Sequence, residues 1–336
     1  MNAFSPLGLL AVPFAPQIYR SAVRRRIQAL PLRDPVETLD RVTRLLVRSR
    51  LASAAAWSFA SPEGASHGAV GFDSGGGQAG AGTLFEAGSL TKVFTGLLLA
   101  DAAGASMLGL EDPIRMALPE GAVLLPGGWE LTWKQLATHT SGLPRLPYGF
   151  GIRQRLSRDP YAAFGSEAMA RSLRQAPRTG PPVRGYLYSN FGFALLGHLL
   201  AQVHQRPLAT LFRERIFEPL GLPDTTCGAP GGGSAAQGRN AIGLPARRWS
   251  HQGATLGAGG LDTTIGDLAT FLAWNLEAAR GGTSRLGPAL RSAQEVRVRG
   301  AADGVGLGWH LRFHRNGMVH WHDGMTGAFS SFMGFS

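Results

Sequence analysis

Cysteine is almost missing from this chain: Cys227 is the single one in 336 residues, which excludes an internal disulfide framework. It follows the loop-like Pro223-Asp224-Thr225-Thr226 and reads as structural rather than reactive. Also missing is any run of about 18 apolar residues, so no spanning helix is predicted. The apolar stretch from Phe4 to Ala15 is broken by Pro6 and Pro13 and followed by Pro16, and no basic residue precedes it as in a secretory signal. Together with the arginines that follow, it is read as a surface for peripheral membrane contact. Lysine is scarce too: of 33 lysines and arginines, only Lys92 and Lys134 are lysines. Acidic residues number 22 and leave a net charge of +11, which raises the question of a nucleic-acid partner. The arginines, however, are scattered through every segment, with only Arg24-Arg25-Arg26 in a tight cluster. Aromatic residues do not interleave with them as a base-stacking groove requires, so no nucleic-acid function is assigned.

What the chain does have is core. Hydrophobic residues make up 44% of it and mean hydropathy is near zero, enough for one large domain or two interlocked ones. The organising stretch runs from Phe85 through Gly88-Ser89-Leu90-Thr91-Lys92 to Gly96. Leu90, Val93, Phe94, Leu97 and Leu98 have the spacing of a buried helical stripe, with Gly104 as its C-cap. Ser89 therefore falls at or next to the helix start, and Lys92 lies one turn on along the same side. A serine hydroxyl needs a neighbouring base to become a nucleophile. A buried lysine can lose its proton and serve, whereas an arginine cannot. Two lysines produce one Ser-x-x-Lys by accident about one time in eight, so the partners downstream carry the weight.

Around this stretch, Asp34-Pro35 predicts a capped helix carrying Val36, Leu39, Val42, Leu45 and Leu46. Residues 51–60 and 67–73 read as two strands, and Thr83 to Phe85 as a third. The middle of the chain reads as mostly helical. A helix covers residues 194–204; another follows Pro207 and stops before Pro219. Thr264 caps a helix with Leu268, Phe271, Leu272 and Leu276 inward. At the end, Gly306 to Phe313 and Met318 to Asp323 flank the hairpin signal Asn316-Gly317, and Ala328 to Phe335 follows as a further strand. The expected fold is α/β (α+β): an antiparallel sheet built from both chain ends, flanked by helices. Its expected parts are an extension over residues 1–33, a sheet domain from 34–100 and 250–336, and a helical domain from 101–249, with a cleft between the last two.

Three further groups are candidates for the site. Tyr188 beside a lysine ammonium can take up the serine proton as phenolate; the other reading is a core aromatic. Asn190, with donor and acceptor, can hold the lysine and a substrate carbonyl together. In His322-Asp323-Gly324, Gly324 allows close backbone approach to a ligand, the Met325 N–H can serve beside that of Ser89 as an oxyanion donor, and His322 can orient a substrate or a proton. A competing reading places a metal on His320 and His322, which share one strand face, with Asp323 opposite and His310 and His314 nearby. No metal and no cofactor are assigned.

Taken in order, Ser89-x-x-Lys92, Tyr188-x-Asn190 and His322-x-Gly324 resemble the serine β-lactamase and penicillin-binding protein superfamily, in particular its class C branch. Similar blocks are Leu136 to Pro144, Glu218 to Leu222 and Gly259-Gly260-Leu261, so the resemblance spans residues 83–336. It implies a β-lactamase/transpeptidase-like fold, with Ser89 as acylated nucleophile, Lys92 and Tyr188 as its activating pair and Asn190 as substrate-positioning residue. The oxyanion hole would come from the Ser89 and Met325 N–H groups. The implied function is a serine hydrolase acting through a covalent acyl-enzyme on an ester, amide or D-amino-acid peptide. Its partner is a small-molecule or peptide acyl donor. The rivals are a catalytically weak or inactive penicillin-binding or acylated binding protein and an acyltransferase to an acceptor other than water. Two departures stand out. His322-Asp323-Gly324 replaces the Lys-Thr-Gly type of motif that helps hold the drug carboxylate, so weak β-lactamase activity is expected. The C-terminal strand and helix of the family are expected to be missing.

Overall fold

The structure is a computed structural model and describes residues 23–30, 34–62, 64–117, 130–150, 157, 159–162, 164–175, 185–228, 234–240, 243–251, 253–315 and 317–336. The apolar N-terminal stretch lies outside the described residues. Among the described residues no helix is long and apolar enough to cross a membrane.

Helix α1 (Pro35–Arg48) starts as predicted, with Asp34 accepting the Val36 N–H at 2.8 Å and the Glu37 N–H at 3.4 Å. It packs on the hairpin of β1 (Ala54–Ser61) and β2 (Gly64–Gly71). The hairpin is tighter than residues 51–60 and 67–73 suggested, with Ser61 paired to Gly64. The centre of the molecule is α2 (Thr91–Gly104), in which every residue from Thr91 to Ala100 is buried. A helix apolar on all sides belongs in a core. Around it pack α4 (Asn190–Val203), α5 (Leu256–Gly259) and α7 (Gly287–Gln294), while α3 (Trp133–Ala137) packs on α4. Gly197 of α4 meets Gly257 of α5 so closely that a Cβ on Gly197 would stand 2.9 Å from the Gly257 Cα, and only that approach lets α5 reach the lysine of α2.

The C-terminal sheet has the antiparallel order β10-β9-β8-β7-β6. Its strands are β6 (Val298–Arg299), β7 (Asp303–Val305), β8 (His310–His314), β9 (Gly317–Met325) and β10 (Ser330–Phe335). β8 begins at His310 rather than Gly306. The residues before it, with Gly308 at φ 82° against the Lys92 carbonyl, cross α2 instead of pairing. A small sheet of β3 (Phe85–Glu86), β5 (Leu261–Thr263) and β4 (Thr226–Cys227) feeds the chain into Ser89. Helix α6 (Ile265–Ala279), capped by Thr264 at 3.2 Å from the Asp267 N, packs on both β1 and β10. The fold is thus mixed α/β with antiparallel sheets and flanking helices. The β1–β2 hairpin and the C-terminal strands, from the two sides of the chain, hydrogen-bond as separate sheets beside one helix. Two helix boundaries differ as well: the helix expected over 194–204 already begins at Asn190, and the helix after Pro207 does not stop before Pro219. A π turn at Arg213–Phe217 carries the chain through to Leu220, because its wider turn tolerates the missing proline N–H.

Candidate active site

Ser89 lies in a 3-10 turn, Gly88–Leu90, that runs directly into α2 at Thr91. Two glycines bring β9 against this turn. A Cβ on Gly88, which sits at φ 53°, would fall 2.9 Å from the Met325 N. A Cβ on Gly324 would fall 2.1 Å from the Ala87 O and 3.1 Å from the Ser89 N. The Ser89 and Met325 amides are therefore neighbours, the arrangement that two oxyanion donors need. Ser331 on β10 fastens the same turn, its hydroxyl donating to the Ala87 carbonyl at 2.7 Å.

Lys92 is fully buried, and its Nζ lies 2.9 Å from the Ser89 Oγ. On its other side Nζ donates to the Ala258 carbonyl at 2.5 Å, and it stands 5.1 Å from the centre of the Tyr188 ring. Burial, and then the charge of Arg145, hold its pKa well below the usual lysine range, with Asp323 acting the other way. A neutral amine at this place can donate to Ala258 while its lone pair faces the serine hydroxyl, which is what a proton acceptor requires. The contact proposed between Asn190 and Lys92 is not made: the Ala258 carbonyl occupies that position.

Burial pushes the Tyr188 pKa above that of a free tyrosine, with the neighbouring Ser89 side chain acting the other way. The phenol thus keeps its proton, which suits a donor to a leaving group better than a resting base. Its place is fixed by Ser189, whose Oγ accepts the Gly192 N–H at 2.8 Å as the cap of α4 and donates to the Pro144 carbonyl at 2.7 Å. His139 holds the other side. Its Nδ1 accepts from the Ser189 N–H, its carbonyl accepts the Leu187 N–H at 2.8 Å, and its ring lies 4.5 Å from that of Tyr188. Burial keeps this imidazole neutral. The Asn190 Oδ1 is buried and has no hydrogen-bond partner among the described residues.

His322 is fully buried, with Nδ1 at 2.6 Å from the Asp323 carbonyl and Nε2 without a partner among the described residues. Nδ1 therefore carries the proton. Its ring faces His310 at 4.8 Å and Tyr188 at 6.3 Å. Burial keeps both histidines low, His310 at about 4. The wall of the site on this strand is uncharged imidazole. His320 shares the strand face with His322 but stacks on Phe335 at 4.6 Å and bonds the Gln294 carbonyl at 3.1 Å. Among the described residues no three His, Cys, Asp or Glu side chains form a group that could hold a metal.

Sequence reasoning brought together Ser89, Lys92, Tyr188, His322, Gly324 and Met325, with Asn190 close by. It passed over His139, Ala258, Arg145 and Glu86, and weighed His310 only as a metal ligand. Glu86 accepts the Trp249 N–H and, at 2.7 Å, the Thr326 hydroxyl; burial raises its pKa to about 7. It thereby ties the residue after Met325 to the strand before Ser89. The signal for His139 was its place in the block Leu136 to Pro144. Gly64-Ala65-Ser66-His67-Gly68 has the spacing of a nucleophile elbow, but it lies within β2 with Ser66 exposed and no helix following.

The Beta-lactamase family model matches residues 52–336. The chain is 31% identical over 234 residues to the D-alanyl-D-alanine-carboxypeptidase/endopeptidase AmpH of Escherichia coli, covering 66% of this chain and 59% of that protein. It is 27% identical over 269 residues to the unguisins hydrolase ungD' of Aspergillus campestris, covering 74% of this chain and 49% of that protein. To a beta-lactamase of Pseudomonas fluorescens it is 29% identical over 235 residues, covering 68% and 60%. The matches thus span about half to three-fifths of the length of these relatives.

Proposed function

The chain belongs to the Beta-lactamase family, and from that premise we propose that it is a serine hydrolase acting through an acyl-enzyme on an ester, amide or D-amino-acid peptide. The observation that carries this reading is the 2.9 Å contact of the Lys92 Nζ with the Ser89 Oγ in a fully buried setting. Lys92 as neutral amine takes the serine proton while Oγ bonds to the substrate carbonyl carbon. The resulting oxyanion rests on the Ser89 and Met325 N–H groups. Tyr188 gives its proton to the departing oxygen or nitrogen and is reprotonated from the Lys92 ammonium. Water then repeats the sequence on the ester bond and frees Ser89. Asn190 and His322 line the place of the substrate, in a cleft between the sheet part and the helical part of the chain.

The names of the relatives favour peptides and amides: one is called a D-alanyl-D-alanine-carboxypeptidase/endopeptidase and another a hydrolase of unguisins. The uncharged His322 and the acidic Asp323 on β9 favour slow turnover of β-lactams. The N-terminal stretch is a separate part of the reading, a peripheral membrane contact that liposome co-sedimentation tests. The central test is labelling by a fluorophosphonate, together with a screen of p-nitrophenyl esters, D-amino-acid amides and nitrocefin. Labelling and turnover are expected, both lost in Ser89→Ala; labelling that persists in that variant refutes the assignment, and one-time acylation without turnover favours the binding-protein rival.

A further inference from the structure

Arg145 stands at the mouth of the site, on the loop that follows His139. Its guanidinium is 5.2 Å from the centre of the Tyr188 ring. Its carbonyl accepts the Asn190 N–H at 3.0 Å and the Phe191 N–H at 3.4 Å, so the loop is fixed to the first turn of α4. The side chain is exposed. Among the described residues no carboxylate pairs with it, whereas Arg215 is paired with Asp101 and Arg248 with Asp262. Its charge nonetheless reaches the reacting groups, acting on Lys92, His139 and Tyr188. Across the site, Asp323 acts on Lys92 and Tyr188 with the opposite sign. β9 therefore offers an anion nothing: His322 is buried and neutral, and Asp323 repels it.

A guanidinium seated over an aromatic ring keeps its charge and its fork of N–H donors for a carboxylate, which it can bind in bidentate fashion. Resting on the serine-hydrolase reading above, we propose that Arg145 receives a substrate carboxylate. Because it lies over Tyr188, the proton donor in that reading, the carboxylate belongs to the leaving-group side. The acyl donors this site selects are peptides or amides that end in a free acid, with that end turned toward Arg145 and away from Asp323.

The probes are N-acetyl-D-alanyl-D-alanine and its C-terminal amide. Binding is read by calorimetry on Ser89→Ala protein, in which nothing is acylated, and hydrolysis on protein with Ser89 intact. The acid is expected to bind about tenfold more tightly than the amide at low salt, the scale of one charged hydrogen-bonded contact at an exposed site. That ratio is expected to fall toward one in Arg145→Ala, to survive in part in Arg145→Lys and to invert in Arg145→Glu. A parent without the preference, or a ratio unmoved by Arg145→Ala and Arg145→Glu, overturns the assignment. Fluorophosphonate labelling of the same proteins separates the two readings. Labelling without the acid preference sinks the role of Arg145 alone, while a Ser89 that never labels sinks the hydrolase and leaves the binding ratio to judge Arg145.

Discussion

The Nδ1 of His139 accepts the Ser189 N–H at 3.1 Å, so one buried imidazole sets both the Tyr188 segment and the first turn of α4. His139 itself is held at φ 60°, a left-handed conformation that few side chains tolerate. His139→Ala leaves the Ser189 N–H unpaired and keeps the strain, at a cost of about 2–4 kcal/mol. His139→Asn, which accepts the conformation and supplies an oxygen, is expected to recover part of it. Urea denaturation measures the loss. Steady-state kinetics on a p-nitrophenyl ester is expected to show kcat falling with KM nearly unchanged, as for a residue that positions Tyr188.

The lowered pKa of Lys92 fixes a direction for pH. With a folded value below the usual 10.5, the amine becomes neutral well before an ordinary lysine does. The rate of fluorophosphonate labelling is expected to rise with pH through that lowered value and to level off short of 10.5. On the acid side the ammonium has no lone pair, and labelling falls. Lys92→Arg, which keeps the charge and cannot lose it, is expected to cut the labelling rate about 10³-fold.

Much of this site could be read from side-chain type and spacing, because Ser89 and Lys92 are one helical turn apart and local spacing is visible in a sequence. Tyr188 and Gly324 were legible as motifs, and family likeness supplied the link between them. His139 and Arg145 were not, because what they do depends on contacts with Ser189 and the Tyr188 ring that no periodicity encodes. The same holds for the fold. The long helices and the terminal hairpin carry strong patterns, whereas β3, β4 and β5 span two or three residues each and have no room for one. The π turn before Pro219 escaped because a proline ordinarily ends a helix.

Gly324 admits no side chain. A methyl group there would press on the Ala87 carbonyl at 2.1 Å and crowd the Ser89 N, so β9 must withdraw from the turn. Gly324→Ala is expected to reduce acylation of Ser89 by about 10²–10³-fold, the scale of one lost oxyanion donor. Thermal denaturation checks that the protein remains folded while labelling drops.

Glu86 carries a prediction for stability. Its pKa rises from 4.5 to about 7 on folding, so the folded protein binds the proton more tightly than the unfolded chain. Its contribution is complete below the unfolded value and is lost as pH rises through about 7. The expected loss between pH 5 and pH 8 is on the order of 2 kcal/mol. Urea midpoints at the two pH values measure it, and Glu86→Gln is expected to flatten the difference.

Helix α2 shows no wet side from Thr91 to Ala100, and Ser89 and Lys92 are joined to it. A segment so enclosed cannot loosen ahead of its surroundings. The chemical heart of the molecule and its last element to melt are then the same piece of chain. Warming should consequently extinguish reactivity and native circular dichroism along a single curve, with no dead but still folded form in between.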